Sequence, residues 1–583
     1  MSVCTANVAS QDYASFIHRH SSATLEELSN ELGTDCVSYV NESYAVYYVP
    51  LENALPLGIP KHAYGSVPSL FGLMDTTSME ASGIVSTFRQ PTLGSNGRGV
   101  IVGIIDTGID YQNPLFRNAD GKTRILGIWD QTADGNGFEL AGNRPFLLPF
   151  FYGKEYTYED IDNALSNDDP LSVLPSTDTN GHGTFVAGIA AGSPSLSMNF
   201  VGAAPECQLG VVKLKPAKQY LRDYYMIQDD AQAYQADDII LGITYLTLLA
   251  RRHRMPLVIC LGLGTNQGGH SGASPVGEVL NSLRSYLGVA AVTAAGNEAG
   301  LRHHYLGQIS GPAGGSGEYK EVELRVAEGE KGFVIELWAN SPEIYTVGFI
   351  SPTGETIQRI PLSLNLEATV KFSIEPTTIY VAYATTLGSQ SSYLAALRFV
   401  SPTPGIWRIR VYPTITFSGV FHMWLPITGF ISPQTYFLQV DPYTTIVTPG
   451  NSDFPITVST YNHLDGSLYI HSSRGYTRDE RIKPDLAAPG VDVYGPGISS
   501  IPGEFPMVRM TGSSVAAAHV AGAVANIYSR QYPDGNYLNI SSDLVKASLI
   551  RGADRNPNYT YPNREWGYGT LNLYNSFLSL RDS

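Results

Sequence analysis

The sequence predicts an α/β fold: a mostly parallel sheet flanked by helices, preceded by a small α+β unit and interrupted by an inserted antiparallel β domain. Three observations predict it. Apolar runs that read as buried strands, at 100–105, 256–264 and 287–293, alternate with helical stretches at the spacing of parallel crossovers. Two stretches of small residues, DTNGHGTFVAGIAAG (178–192) and RMTGSSVAAAHVAGAVAN (509–526), read as close-packed helices that begin in Gly-containing turns. From about 305 to 449 the texture shifts to short alternating runs rich in aromatic and β-branched residues, most ending near Pro, Gly, Asn or Ser, before the α/β texture returns.

A length of 583 residues exceeds one ordinary core and predicts two or three domains. The chain is 43% apolar and 15% charged, with a formal charge of -16, which argues against nucleic acid or an anionic membrane as the main partner. No run of 18 uncharged apolar residues predicts a membrane span, and the first 20 residues lack a basic region followed by an apolar one, so no export signal and cytoplasmic synthesis are expected. Cys4, Cys36, Cys207 and Cys260 lie far apart without metal-like spacing. Cys207 and Cys260 read as buried thiols, and disulfides are not expected in a chain without an export signal.

Taken in order, residues 12–50 form a helix and strand unit. Thr24 and Glu27 have the spacing of a capping box, and CVSYVNESYAVYYVP supplies two strands around an Asn-containing turn. Pro60, Gly65 and Pro68 then mark a boundary. The run at 100–105 ends at Asp106, in the position where open α/β sheets place ligands, although a turn cap is an equal reading of that residue alone. His182 sits between Gly181 and Gly183 at the start of the first small-residue helix, where glycines allow another chain to approach. Residues 221–254 read as one long helix. The strand at 256–264 enters the Gly-rich loop TNQGGHSG, and the strand at 287–293 continues into AAGNEAG. The inserted segment predicts a sandwich or jelly roll of about eight strands without clustered His, Asp or Glu, and therefore a packing or contact module. After it come the strand ITVST and the Gly512 turn, which leads to a helix opening at Ser513 or Ser514. The units are 1–64, 65–304, 305–448 and 449–583.

These residues resemble the subtilisin-like serine proteases. The resemblance rests on IIDTGID around Asp106, NGHGTFVAGIAAG around His182, AAGNEAG around Asn297 and GSSVAAAHVAG around Ser514, with VGAAPECQLGVVKL, KPDLAAPGV and WGYGTLNL in support. It implies an Asp106–His182–Ser514 triad, with Asn297 as oxyanion donor and Ser513 in place of the usual threonine. It also implies a primary pocket walled by Cys260, Leu261 and Gly262 on one side and Ala295 and Gly296 on the other. The first 64 residues resemble the family's propeptide, with self-cleavage expected at Tyr64–Gly65 or within a few residues, and with the cleaved piece retained. MDTTSMEASGI, GTNQGGHSG and the insertion resemble the clostridial Csp subgroup, which implies activation of a spore-cortex hydrolase proenzyme during germination and packaging in the spore.

The chemistry agrees with those residue types. A free serine is too weak a nucleophile for peptide hydrolysis, so an imidazole must take its proton and return it to the leaving amine. A carboxylate fixes the tautomer of that imidazole. The substrate is expected to be a protein or peptide bound in extended form along strand edges. No cofactor is required. Structural calcium is weakly supported, because AGSPSLSMNF (191–200) lacks the oxygen-rich pattern of a strong site. Asp110, Asp130 and Asp178 read as turn or cap residues, and His303 and His304 lack a third zinc ligand.

Overall fold

The structure is a computed structural model that describes residues 4, 6–63, 65–73, 78–79, 81–88, 96–135, 137–141, 147–309, 319–363, 366–386, 391–530 and 540–581. Its central sheet has eight strands in the order Leu486–Pro489, Ile456–Tyr461, Val289–Ala294, Leu257–Leu261, Ile101–Asp106, Gln208–Lys213, Ile125–Asp130 and Lys154–Thr157. All neighbours are parallel except the last pair. Both faces are covered, so the central strands are largely apolar and their alternate residues enter different cores. Val102, Ile104, Val258 and Cys260 join the core of the two small-residue helices, while Ile101, Ile105, Leu257 and Ile259 join that of Ala236–His253.

The helices His182–Ala191 and Ser513–Arg530 pack on each other and on the sheet. Their small residues set how close they come. A Cβ on Gly522 would lie 2.3 Å from that of Ala203, so any side chain there would push the Ser513 helix outward.

The expected helix over 221–254 is two helices, Gln219–Tyr225 and Ala236–His253. Met226 caps the first at φ 53°, and Arg222 donates to the carbonyls of Gln228, Asp229 and Ala231, winding the chain into a loop before the short strand Tyr234–Gln235.

The inserted segment forms two antiparallel sheets of six and five strands around one core. The excess over eight includes two-residue edge strands at Thr356–Ile357 and Tyr436–Phe437. The N-terminal unit is a three-stranded sheet with the helix Leu25–Leu32, and the Thr24–Glu27 capping box is present in both directions. Contrary to expectation, Cys4 and Cys36 are disulfide-bonded. The fold of this unit brings together two residues 32 apart, which neither spacing nor compartment reasoning reveals. Cys207 and Cys260 are free and buried.

Candidate active site

Asp106 is the last residue of its strand, and its Oδ1 accepts the Thr107 N–H at 2.7 Å and Nδ1 of His182 at 2.8 Å. His182 opens its helix behind Gly181, whose φ of 93° permits the sharp entry. Asp178 fixes that turn: Oδ1 accepts from Asn180 and Gly181, and Oδ2 accepts from the backbone and hydroxyl of Thr184. The far nitrogen of His182, Nε2, lies 2.9 Å from Oγ of Ser514. Three residues 408 positions apart at their extremes thus form one hydrogen-bonded chain, with all three side chains buried.

Ser514 is the second residue of a helix entered through Gly512 at φ 153°. The helix start is tied to the Asn297 loop twice. The Ser513 N–H donates to Asn297 Oδ1 at 3.1 Å, and Ser513 Oγ accepts the Gly296 N–H at 3.2 Å. With Oδ1 engaged, the amide NH2 of the half-buried Asn297 is the group left to serve a developing anion.

The pocket walls differ from expectation on one side. Cys260 and Leu261 lie inside the central sheet, paired with Val292 and Thr293, and burial pushes the Cys260 thiol pKa far up, so it stays protonated. The chain reaches the triad at Gly262, where a Cβ would stand 2.6 Å from Ser514 Cβ and 3.3 Å from His182 Cε1. The pair that follows Gly262 directly, Leu263–Gly264, is a separate short strand outside the central sheet, and Leu263 is fully buried. The LGLG run (261–264) at the end of a strand was the available signal. On the other side, Ala295 and Gly296 are backed by Val447, whose N–H donates to Ala295 O and whose Cγ1 lies 2.6 Å from a Cβ built on Gly296.

The edge Leu263–Gly264 is paired. The strand Leu70–Leu73 runs antiparallel to it and to Tyr234–Gln235, making a three-stranded sheet with Leu73 opposite Leu263. Tyr64 lies outside the described residues. Gly65 is placed near Pro275, and Ser66 O accepts the Ile17 N–H, extending the N-terminal sheet.

Among the described residues, no group of three or more His, Cys, Asp or Glu is gathered to hold a metal ion, and no helix is long and apolar enough to cross a membrane. In the 191–200 loop Ser195 pairs with Phe200 through its backbone and with Ser197 through its hydroxyl; without a carboxylate these donors do not fit calcium. Asp110 Oδ1 accepts the Gln112 N–H, and Asp130 binds Thr132, Ser176 and Lys213. His303 is engaged by Glu298 and His304 by His422.

The subtilase family model matches residues 97–363 and 438–569, more than half of the chain. The chain is 34% identical over 124 residues to pyrolysin of Pyrococcus furiosus, covering 20% of this chain and 8% of pyrolysin. It is 26% identical over 292 residues to the major intracellular serine protease of Bacillus subtilis, covering 50% of this chain and 69% of that protein. A match to the subtilisin-like protease SBT1.9 of Arabidopsis thaliana takes in 24% of this chain and 20% of that one. The chain thus spans far less than two thirds of pyrolysin and of SBT1.9. Among solved structures, the CspB protease of Clostridium perfringens is 28% identical, with a TM-score of 0.74, covering 86% of this chain and 97% of that one. With the family model, the parallel sheet and the gathered Asp, His and Ser all in agreement, the protein belongs to the subtilase family of serine endopeptidases.

Proposed function

We propose that the protein is a self-processing serine endopeptidase whose cleaved N-terminal unit stays bound. The observation that carries this reading is the hydrogen-bonded chain from Asp106 through His182 to Ser514, at 2.8 and 2.9 Å. Ser514 Oγ attacks the scissile carbonyl carbon while His182 Nε2 takes its proton, and Asp106 stays ionised to hold the imidazole by Nδ1. The resulting oxyanion is held by the Asn297 amide and the Ser514 N–H; in subtilisin itself such a donor is worth about 2.7–4 kcal/mol. His182 then protonates the leaving amine, and water cleaves the acyl-enzyme by the same steps. No step is routed through a metal.

The substrate binds in extended form by adding a strand between Tyr234–Gln235 and Leu263–Gly264. Occupation of that place by Leu70–Leu73 of the same chain supports a second state, in which the enzyme is latent until the N-terminal unit is displaced. Retention of that unit, a propeptide in function, is supported by polar contacts that cross from it to the sheet domain. Lys218 Nζ donates to the carbonyls of Val8 and Tyr13 at 2.6 and 2.7 Å, and Tyr44 donates to Glu278. The inserted jelly roll acts as a packing module. Similarity to the CspB protease supports a spore-cortex hydrolase proenzyme as substrate and packaging in the spore after cytoplasmic synthesis.

The deciding experiment compares wild type with Ser514→Ala. Wild type is expected to cut its own chain once, to hydrolyse an extended peptide and to trim the proenzyme, while the variant does none of these. Self-cleavage that survives in Ser514→Ala would sink the peptidase reading. Peptidase activity without proenzyme cleavage would remove only the germination role.

A further inference from the structure

The oxyanion donor stands on the least regular part of the site. Asn297 follows the strand Val289–Ala294 in a loop without regular structure, and it is only half-buried. A donor in that setting is effective only if the backbone on either side of it is held, because its amide has to meet the developing anion within a fraction of an ångström.

The N-terminal side is held at Gly296, whose N–H donates to Ser513 Oγ and whose carbonyl accepts the Ser473 N–H at 2.9 Å. On the C-terminal side the hold is Glu298. Its N–H donates to Ser473 Oγ at 3.0 Å. The residue is only 3% exposed, and its carboxylate turns inward, away from solvent. Oε1 accepts the Thr428 N–H at 3.1 Å, and Oε2 accepts from Asn266 Nδ2 at 3.1 Å and from His303 Nδ1 at 2.7 Å.

These donors converge from three separate parts of the chain. Asn266 lies two residues beyond the strand Leu263–Gly264 and also donates to Leu425 O at 3.2 Å. His303 stands just before the first strand of the inserted sandwich, and its carbonyl accepts the Leu425 N–H at 2.9 Å. Thr428 follows the strand Val420–Trp424, where the sandwich leads back to the sheet domain. A buried carboxylate is costly unless its oxygens are served, and here they are. Burial pushes the Glu298 pKa up, but the bonds from His303 and Thr428 outweigh it and hold the group below the usual carboxylate range, so it is ionised at neutral pH. A side chain with so few ways of being satisfied fixes its own Cα, and the Cα of Asn297 is about 3.8 Å away across one peptide.

We infer, given the proposed peptidase reading, that Glu298 is a positioning residue for the oxyanion donor: by gathering Asn266, His303 and Thr428, its carboxylate fixes the backbone from which Asn297 reaches the developing anion. Glu298 touches no reacting atom. Its effect is on where Asn297 stands.

The test follows the first-order loss of the full-length chain, a reaction whose substrate is already in place, so its rate reads positioning rather than binding. Glu298→Gln keeps the size of the side chain but sets an NH2 against one of the donors, and it should slow self-cleavage about tenfold. Asn297→Ala should slow it about a hundredfold or more, the scale known for this donor in subtilisin itself. The double variant should match Asn297→Ala alone to within about twofold, because Glu298 acts only through Asn297. A general structural role would instead slow both backgrounds by the same factor. Where Glu298→Gln melts well below wild type, the same comparison is made with His303→Phe, which removes one donor. His303→Asn, whose amide nitrogen falls near the place of Nδ1, should then recover most of the rate. A folded Glu298→Gln or His303→Phe chain that cuts at the wild-type rate, or that slows Asn297→Ala by its full single-variant factor, overturns the inference while leaving the peptidase reading intact. A wild-type chain that does not cut itself, or cutting that survives in Ser514→Ala, overturns both.

Discussion

Gly262 is the residue at which substrate edge and triad share one wall, and there is no room on it for a side chain. A Cβ would stand 2.6 Å from Ser514 Cβ, 3.3 Å from His182 Cε1 and 3.6 Å from Asp106 Oδ2. Relief would have to come from the nucleophile moving, because Gly262 follows directly on a strand locked between two neighbours. Gly262→Ala is therefore expected to fold with a melting temperature close to wild type yet lose about a hundredfold or more in kcat/KM toward an extended peptide, the scale associated with displacing a reacting group by about 1 Å. Unchanged kinetics would show that Ser514 has more freedom than its hydrogen bonds imply. Asp106, His182, Asn297 and Ser514 were legible through the resemblance of the stretches around them to the subtilisin-like proteases, whereas residue pattern alone left Asp106 equally a turn cap and the helix opening at Ser513 or Ser514. The wall was legible in part: Gly262 adjoins the triad, whereas Cys260 and Leu261 belong to the central sheet, whose end is marked only by the LGLG run at 261–264.

At the scale of elements, strands and small-residue helices followed from local pattern, whereas features set by distant contacts did not. The capping box at Thr24 needs only residues three apart, and it is present. The break after Tyr225 depends on Arg222 gathering three loop carbonyls, and the Cys4–Cys36 bond depends on how the N-terminal unit closes; neither leaves a periodic trace. The grip on that unit has the same long-range character. Lys218 Nζ reaches two carbonyls more than 200 positions away, and Gln219 N–H reaches Gln11 Oε1 at 2.9 Å. Lys218→Met keeps the length of the stem and removes the donors, leaving two carbonyls unserved. Burial lowers Lys218 to about 7, so each bond is counted at the ordinary net value of about 0.5–1.5 kcal/mol, and losing both should weaken binding of the cleaved N-terminal unit about tenfold. On size-exclusion chromatography of the self-cleaved protein the fragment should co-elute in wild type and separate in the variant. Equal retention in both would assign the grip to other contacts.

For the whole molecule, the seam between the inserted sandwich and the sheet domain predicts sensitivity to acid. Three histidines from both sides stack on Trp424 there: His270 at 4.0 Å between ring centroids, His304 at 4.8 Å and His422 at 5.2 Å. His304 Nδ1 donates to Asp441 O, which leaves its Nε2 to accept from His422 Nδ1 at 3.0 Å, and His270 Nε2 donates to Asn266 O. The charged groups around the stack are Arg478, held by Gly269, Asn340 and Ser392, Glu336, which binds the Gly268 N–H and the Trp338 indole, and Asp441 beside His304, whose charge opposes the lowering there. Burial lowers His270 to about 3 and His304 to about 4, and it lowers His422 well below the usual imidazole range, with the Arg478 cation adding to the effect for His270 and His422. All three are neutral when folded and titrate near 6.5 when unfolded. Below that value the unfolded chain binds more protons than the folded one, so stability is full above about pH 7 and falls with acidification, by up to about 1.4 kcal/mol per pH unit for each histidine. Asp110, pushed up to about 6 by burial, acts in the opposite sense between about pH 6 and 4, because its folded form holds a proton that the unfolded form has lost. Burial also lowers His519 to about 3 and raises Asp238 to about 6, one group in each sense, so the histidines still outweigh the carboxylates and the urea midpoint should drop from pH 7 to pH 5. His270→Phe, which keeps a ring against Trp424 without a titratable nitrogen, should make that slope shallower by one histidine's share. A slope unchanged by the substitution would place the acid sensitivity elsewhere in the molecule.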